Sequence, residues 1–126
     1  MACLAAAEEV AVLLAVTKAV VGIGQWAPGK STIHDAAEER DRAALGRLGA
    51  CAEISGVVID GAGEPVQAGL TERMIGISAA GMRAIPEVIA IAYGVSKAPA
   101  VRAALTSGFV RGLVTHSTLA AALLAE

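Results

Sequence analysis

Gly24, Gly29, Lys30 and Ser31 stand at the spacing G-x-x-x-x-G-K-S inside VVGIGQWAPGKST, Val20 to Thr32. That spacing belongs to loops that wrap backbone N–H groups and a lysine around phosphates at the start of a helix. The apolar run Ala19–Ile23 precedes it as a strand should, and GVVID, Gly56–Asp60, could supply an acidic strand for magnesium. Two features count against a nucleotide site. Pro28 has no N–H to offer, and the helix-start signal falls later, with Asp35 as N-cap and Glu38 three residues on in a capping-box pattern. The loop is therefore expected at the surface with a flexible lysine. Its useful part is the GIG turn, where Gly22 and Gly24 serve either a tight turn off the strand or a close approach of a ligand to the backbone.

Lys97 is the strongest candidate for binding. It follows the glycine-bearing loop YGVSK and opens a helix, so backbone donors, helix dipole and ammonium would converge on one anion. Gly94 in that loop has the same double reading as Gly22 and Gly24, a tight turn or a close approach to ligand. Glu53 is a carboxylate in an otherwise apolar strand, which calls for a partner or a wet site; facing outward at the strand's start would also account for it. His34 and His116 are the only histidines. They lack further ligands at metal spacing and read as loop residues. Ser31, Ser96 and Ser117 each lie near a helix start, where capping explains them. No cofactor motif remains.

The elements that must carry these residues alternate. Leu4 to Lys18 reads as a helix, apolar nearly all round after Glu9 and so mostly buried. Ala19–Ile23 is a strand, Gly24–His34 a loop, and Asp35 opens a helix to about Leu48. Cys51–Asp60 is strand-like, followed by the turn Asp60–Gly63. Arg73–Ser78 gives another short strand and a helical turn leads to Pro86. Val88–Tyr93 is a buried strand, Ser96 caps a helix from Lys97 to about Ser107, Val110–Thr115 is the last strand, and Ser117–Leu124 the last helix. Alternation at both ends with a β-rich stretch between predicts an α/β fold, a Rossmann-like layer of mainly parallel strands with a β-rich insert. In such sheets ligands bind at the carboxyl ends of the strands. Three loops qualify there: GIGQ, YGVSK and THST.

Composition narrows the classes. The chain has 126 residues, 56% of them hydrophobic but only 2% aromatic, so the core is built from Ala, Val, Leu and Ile. Few stacking surfaces and a net charge of −2 argue against nucleic-acid binding by this chain itself. Glu8-Glu9 and Lys18 interrupt the early apolar stretch before it reaches the length of a membrane span. Cys3 and Cys51 make neither a disulfide framework nor a metal site. A cytoplasmic setting is expected.

Several stretches in order resemble the effector-binding domain of SorC/DeoR-type sugar-binding transcriptional regulators. They are VVGIG (Val20–Gly24), GACAEISGVVIDGAGEPV (Gly49–Val66), LTERMIGIS (Leu70–Ser78), AIPEVIAIAYGVSKAPAVRAAL (Ala84–Leu105) and GLVTHSTLAAALL (Gly112–Leu124). The resemblance implies a fold akin to ribose-5-phosphate isomerase and glucosamine-6-phosphate deaminase, and a phosphorylated sugar as effector. It also implies a homo-oligomer, with DNA reached only through a helix-turn-helix domain outside this chain, and no membrane partner. It assigns an effector contact to the lysine at Lys97 and a sugar-hydroxyl acceptor to the acidic residue at Glu53. On this reading residues 1–126 are the C-terminal half of the effector domain. The family usually has two glycines where Tyr93-Gly94 stand here, and an aspartate where His116 stands. Ligand binding is thus expected of Gly22, Gly24, Glu53, Gly94 and Lys97, without catalysis. An isomerase- or deaminase-type enzyme using Asp35 or Glu53 as general base is the first alternative, and a non-binding dimerisation fragment the second.

Overall fold

The structure, a computed structural model, describes residues 16–125; most of the expected Leu4–Lys18 helix lies outside them. Two three-stranded sheets organise the chain. One is parallel, in the order β1 (Lys18–Gly22), β5 (Glu87–Ile91), β6 (Gly112–Val114). Its register pairs Val20 with Ile89 and Ile91 with Val114. The other is antiparallel, in the order β2 (Gly24–Gln25), β3 (Ala50–Ile54), β4 (Val57–Asp60). The expected α/β architecture with parallel strands and a β-rich insert is therefore observed.

Helices link and cover the sheets. Short α1 (Thr32–Ala36) and longer α2 (Glu39–Arg47) lie between β2 and β3. One-turn α3 (Leu70–Arg73) and α4 (Ala79–Ala84) precede β5. A 3₁₀ turn (Val95–Lys97) leads into α5 (Ala98–Ser107), and α6 (Ser117–Leu124) closes the described chain. The unit β5–α5–β6 is the crossover that parallel pairing requires.

One core joins the layers. Val88, Ala90 and Ala92 from the β5 region meet Ala52, Ile54, Val57 and Ile59 from the antiparallel sheet. Ala100, Val101, Ala103 and Ala104 of α5, with Phe109 and Leu119, belong to the same buried core. Small helix residues allow close backbone approach. At Gly63 an added Cβ would stand 2.6 Å from the Ser107 nitrogen and 2.9 Å from the Ala103 carbonyl oxygen.

Local expectations needed five corrections. Cys51–Asp60 is not one strand but a hairpin, because Ser55 (φ 48°) and Gly56 (φ 88°) both adopt left-handed conformations that reverse the chain. Arg73–Ser78 is not a strand: Arg73 ends α3, Ile75 is exposed, and the Ser78 hydroxyl accepts from the Gly81 N–H to cap α4. Asp35 does not cap the long helix. Ser31 caps α1, accepting from the His34 N–H at 3.2 Å, while Glu38 precedes α2 without a side-chain cap. Ser96 lies inside the 3₁₀ turn rather than at a cap, and α6 is capped by His116 instead of Ser117.

Candidate functional site

The cleft forms where the two sheets meet. β1 ends at Gly22, Ile23 is buried as an anchor, and Gly24 starts β2. The chain thus changes sheets at the GIG turn. From the next strand of the parallel sheet, β5, the chain continues through Ala92 and Tyr93 to the 3₁₀ turn carrying Lys97. The Lys97 Nζ donates to the Ile23 carbonyl oxygen at 3.1 Å. An ammonium has three hydrogens, so two are left for other acceptors.

Glu53 enters from the antiparallel sheet. Along β3, Ala52 and Ile54 face the core, so strand alternation turns Glu53 to the opposite face. Its carboxylate is held from two sides. Ser31 Oγ donates to Oε1 at 3.2 Å, and the Gly56 N–H at the hairpin turn donates to Oε2 at 3.1 Å. Gly24 lies opposite Glu53 in the register. A Cβ there would come within 2.6 Å of Glu53 Oε1 and 3.1 Å of the Ser31 Cβ. Glycine is needed at this position for the carboxylate's sake.

These groups line a cleft of about 610 Å³ with Lys30, Tyr93 and Ile91 among its walls. Four of the five expected residues, Gly22, Gly24, Glu53 and Lys97, lie on it. A Cβ at Gly22 would meet no protein atom within 4 Å, so the backbone there is open on the side where a side chain would stand. Gly94 stands behind the wall: its N–H points at His116 Nε2 at 2.9 Å. The third expected loop, THST, reaches the cleft only through His116, whose ring stacks on Tyr93 at 5.9 Å and 18°. Sequence reasoning missed Ser31 and the Ser55–Gly56 turn as supports for Glu53. It also set Tyr93 aside as a departure from a pattern.

The Gly24–Ser31 loop lies at the surface, as expected, with Pro28, Gly29 and Lys30 exposed, but Ser31 at its end is buried and Lys30 lines the cleft. Its backbone donors nonetheless bond within the protein. The N–H groups of Gln25, Trp26, Ala27 and Lys30 donate to carbonyls of Lys30, Cys51, Gln25 and Ala27 respectively. The Gly29 N–H goes to the Asp35 carboxylate at 3.0 and 3.1 Å. A nucleotide cradle needs those donors turned outward, so the motif match has no cradle behind it.

Asp35 belongs to this loop's own scaffolding. His34 Nδ1 lies 2.9 Å from Asp35 Oδ1, and that bond, with the Gly29 N–H next, holds the carboxyl below its usual range. Trp26 packs edge-on against His34 at 5.0 Å. The two histidines have separate partners, and among the described residues no three potential ligands cluster to hold a metal ion. Cys51 is a free thiol whose pKa is raised by burial and then by the Asp60 charge.

Comparison with known proteins fits this arrangement. The family model for the sugar-binding domain matches residues 7–125. The chain belongs to the sugar-binding domain family of transcriptional regulators. Transcriptional regulator LsrR of Enterobacter sp. (strain 638) is 35% identical over 121 residues, covering 90% of this chain and 38% of that protein. A transcriptional regulator from Streptococcus pneumoniae TIGR4 superposes with a TM-score of 0.80 at 31% identity, over 90% of this chain and 44% of the other. Full-length sorbitol operon regulator SorC from Klebsiella pneumoniae shares the fold at a TM-score of 0.81 and 24% identity, over 92% and 38%. This sugar-binding domain therefore spans well under half the length of the relatives it matches. Among the described residues no helix is long and apolar enough to cross a membrane.

Proposed function

We propose that this domain is the effector-sensing part of a transcriptional regulator of carbohydrate metabolism, and that a phosphorylated sugar binds in the cleft between the two sheets. The observation that carries this reading is the convergence of a cation and a carboxylate, Lys97 and Glu53, on one cleft at the carboxyl end of the parallel strands. Lys97, with Lys30 on the same cleft, supplies positive charge for a phosphate. Glu53 is an acceptor for sugar hydroxyls, and Gly22 leaves room for the ligand against the backbone. Gly24 keeps the carboxylate in place, and Gly94 ties the Lys97 loop to α6 through His116. Membership in a family of regulator domains supports sensing without catalysis. Each Glu53 oxygen already accepts a hydrogen bond, which suits holding a hydroxyl better than abstracting a proton. In this reading residues 1–126 are part of the effector domain of a cytoplasmic, homo-oligomeric regulator. Ligand binding shifts the populations of two arrangements, and DNA affinity follows by linkage.

A thermal-shift and calorimetric panel of sugars and sugar phosphates on the full chain tests the proposal. At least one sugar phosphate should stabilise the protein, and Lys97→Ala should weaken it roughly 10- to 100-fold, the range for a lost charged contact. Absence of stabilisation by every sugar and sugar phosphate would overturn the reading. Binding that survives Lys97→Ala unchanged would remove Lys97 as the anchor.

A further inference from the structure

The chain has one Trp, one Tyr and one Phe. Phe109 is sealed in the core and Trp26 packs on His34. Tyr93 alone of the three lines the cleft, and it remains 59% exposed beside Ile91 and Lys97. An exposed aromatic on the wall of an open cleft is either a plug or a platform. A plug would be buried by the walls it fills, whereas here the cleft stays open with the ring at its rim.

One face of that ring is already covered. The imidazole of His116 stacks against it nearly parallel, at 18°. His116 is itself fixed at the start of α6. Its Nδ1 faces the Leu119 N–H at 3.2 Å and its Nε2 faces the Gly94 N–H at 2.9 Å. A neutral imidazole accepts at one nitrogen only, and either bond suffices to stop the ring turning away. Tyr93 is thus braced by His116 while more than half of its surface stays exposed at the cleft.

From this geometry we propose that Tyr93, braced by His116, is a platform for the C–H face of a cyclic sugar, and that the cleft selects closed-ring over open-chain ligands; this rests on the sugar-binding reading of the cleft given above. A pyranose or furanose presents a flat patch of C–H groups that an aromatic face can cover, with ring hydroxyls left at the edge for Glu53 and an anionic substituent for Lys97. An open-chain polyol phosphate offers the same charge and hydroxyls but no persistent flat face, and ordering it on the platform costs rotamer entropy. Tyr93 is then a specificity-determining residue and His116 its positioning residue.

The test uses matched pairs on the full chain: hexose 6-phosphates and the alditol 6-phosphates made from them by reduction, titrated calorimetrically. Wild type should prefer the cyclic member roughly five- to ten-fold, the size of one aromatic contact. Tyr93→Phe should keep that preference and Tyr93→Ala should erase it, with affinity for the alditol unchanged. Unfolding temperatures of both variants guard against a folding defect. If both members bind wild type equally, or Tyr93→Ala keeps the preference, the platform is overturned while the sugar-binding reading stands. If no member of any pair binds, the platform is overturned, and the sugar-binding reading falls with it only when the wider panel of sugars and sugar phosphates also fails to bind.

Discussion

Gly24→Ala isolates the coupling between the GIG turn and Glu53. The backbone at Gly24 lacks the positive φ that would itself disfavour alanine, and alanine should gain about 0.4–1 kcal/mol by restricting the unfolded chain. The opposing effect is a collision. The new methyl would stand 2.6 Å from Glu53 Oε1, roughly 0.7 Å inside an ordinary contact. A carboxylate that retreats by part of that amount, the rest taken up by the backbone, lengthens and weakens its bonds to Ser31 Oγ (3.2 Å) and the Gly56 N–H (3.1 Å). Hydrogen bonds to charged groups contribute about 1.5–3 kcal/mol each; partial loss of both gives about 2–4 kcal/mol. The net expectation is a destabilisation of about 1.5–3 kcal/mol, or roughly 6–12 °C in melting temperature for a domain of this size. Urea unfolding of wild type, Gly24→Ala, Glu53→Ala and the double variant measures it. With the carboxylate gone the closest contact of the alanine methyl is removed, so the two effects should fail to add by at least about 1.5 kcal/mol. An additive cycle, or a Gly24→Ala protein as stable as wild type, would refute the reasoning.

Three further outcomes follow from other parts of the fold. Gly63→Ala places a methyl against the α5 backbone at a φ of +82°; it should destabilise by about 3 kcal/mol or more, the largest loss among single glycine-to-alanine changes, read by the same urea assay. Asp35 has its carboxyl pKa depressed by His34 and then by the Gly29 N–H. Its contribution is therefore present above the unfolded pKa and lost as pH falls through the folded one. The stability difference between wild type and Asp35→Asn should close on acidification below the carboxylate range, as pH-dependent urea midpoints would show. Cys51, with its pKa raised by burial and the Asp60 charge, should alkylate more slowly than a free thiol in a Cys3→Ser background, and Asp60→Asn should quicken the reaction.

The parallel layer was legible because its signals are local. VVG, EVIAI and GLV are short apolar runs flanked by Gly, Pro or Ser, and each became a strand within a residue or two of its expected bounds. Gly108 ends α5 in a left-handed conformation, as glycine after a helix suggests. The antiparallel insert was harder. CAEISGVVID carries a continuous apolar pattern that hides the reversal, and the two-residue turn is marked only by Ser55-Gly56. RMIGIS alternates like a strand, yet a strand needs a neighbour, and this segment has none. At the cleft, Lys97 and Glu53 stood out as charges in apolar or glycine-rich surroundings. Ser31 and Tyr93 did not, because what gives them meaning is a partner far along the chain: Glu53 is twenty-two residues from Ser31, and His116 stacks on Tyr93 from the other side of α5. Asp35 misled for the converse reason. Its capping-box spacing was real, but its carboxylate was claimed by Gly29 and His34.

The peptide at Ile23 is where the chain leaves one sheet for the other, and its carbonyl is the acceptor for Lys97. A negatively charged ligand that draws on the same ammonium would compete at the point where the two sheets are joined in the chain rather than at the outer edge of either. Anchoring the ligand and transmitting its presence would then begin at a single amide.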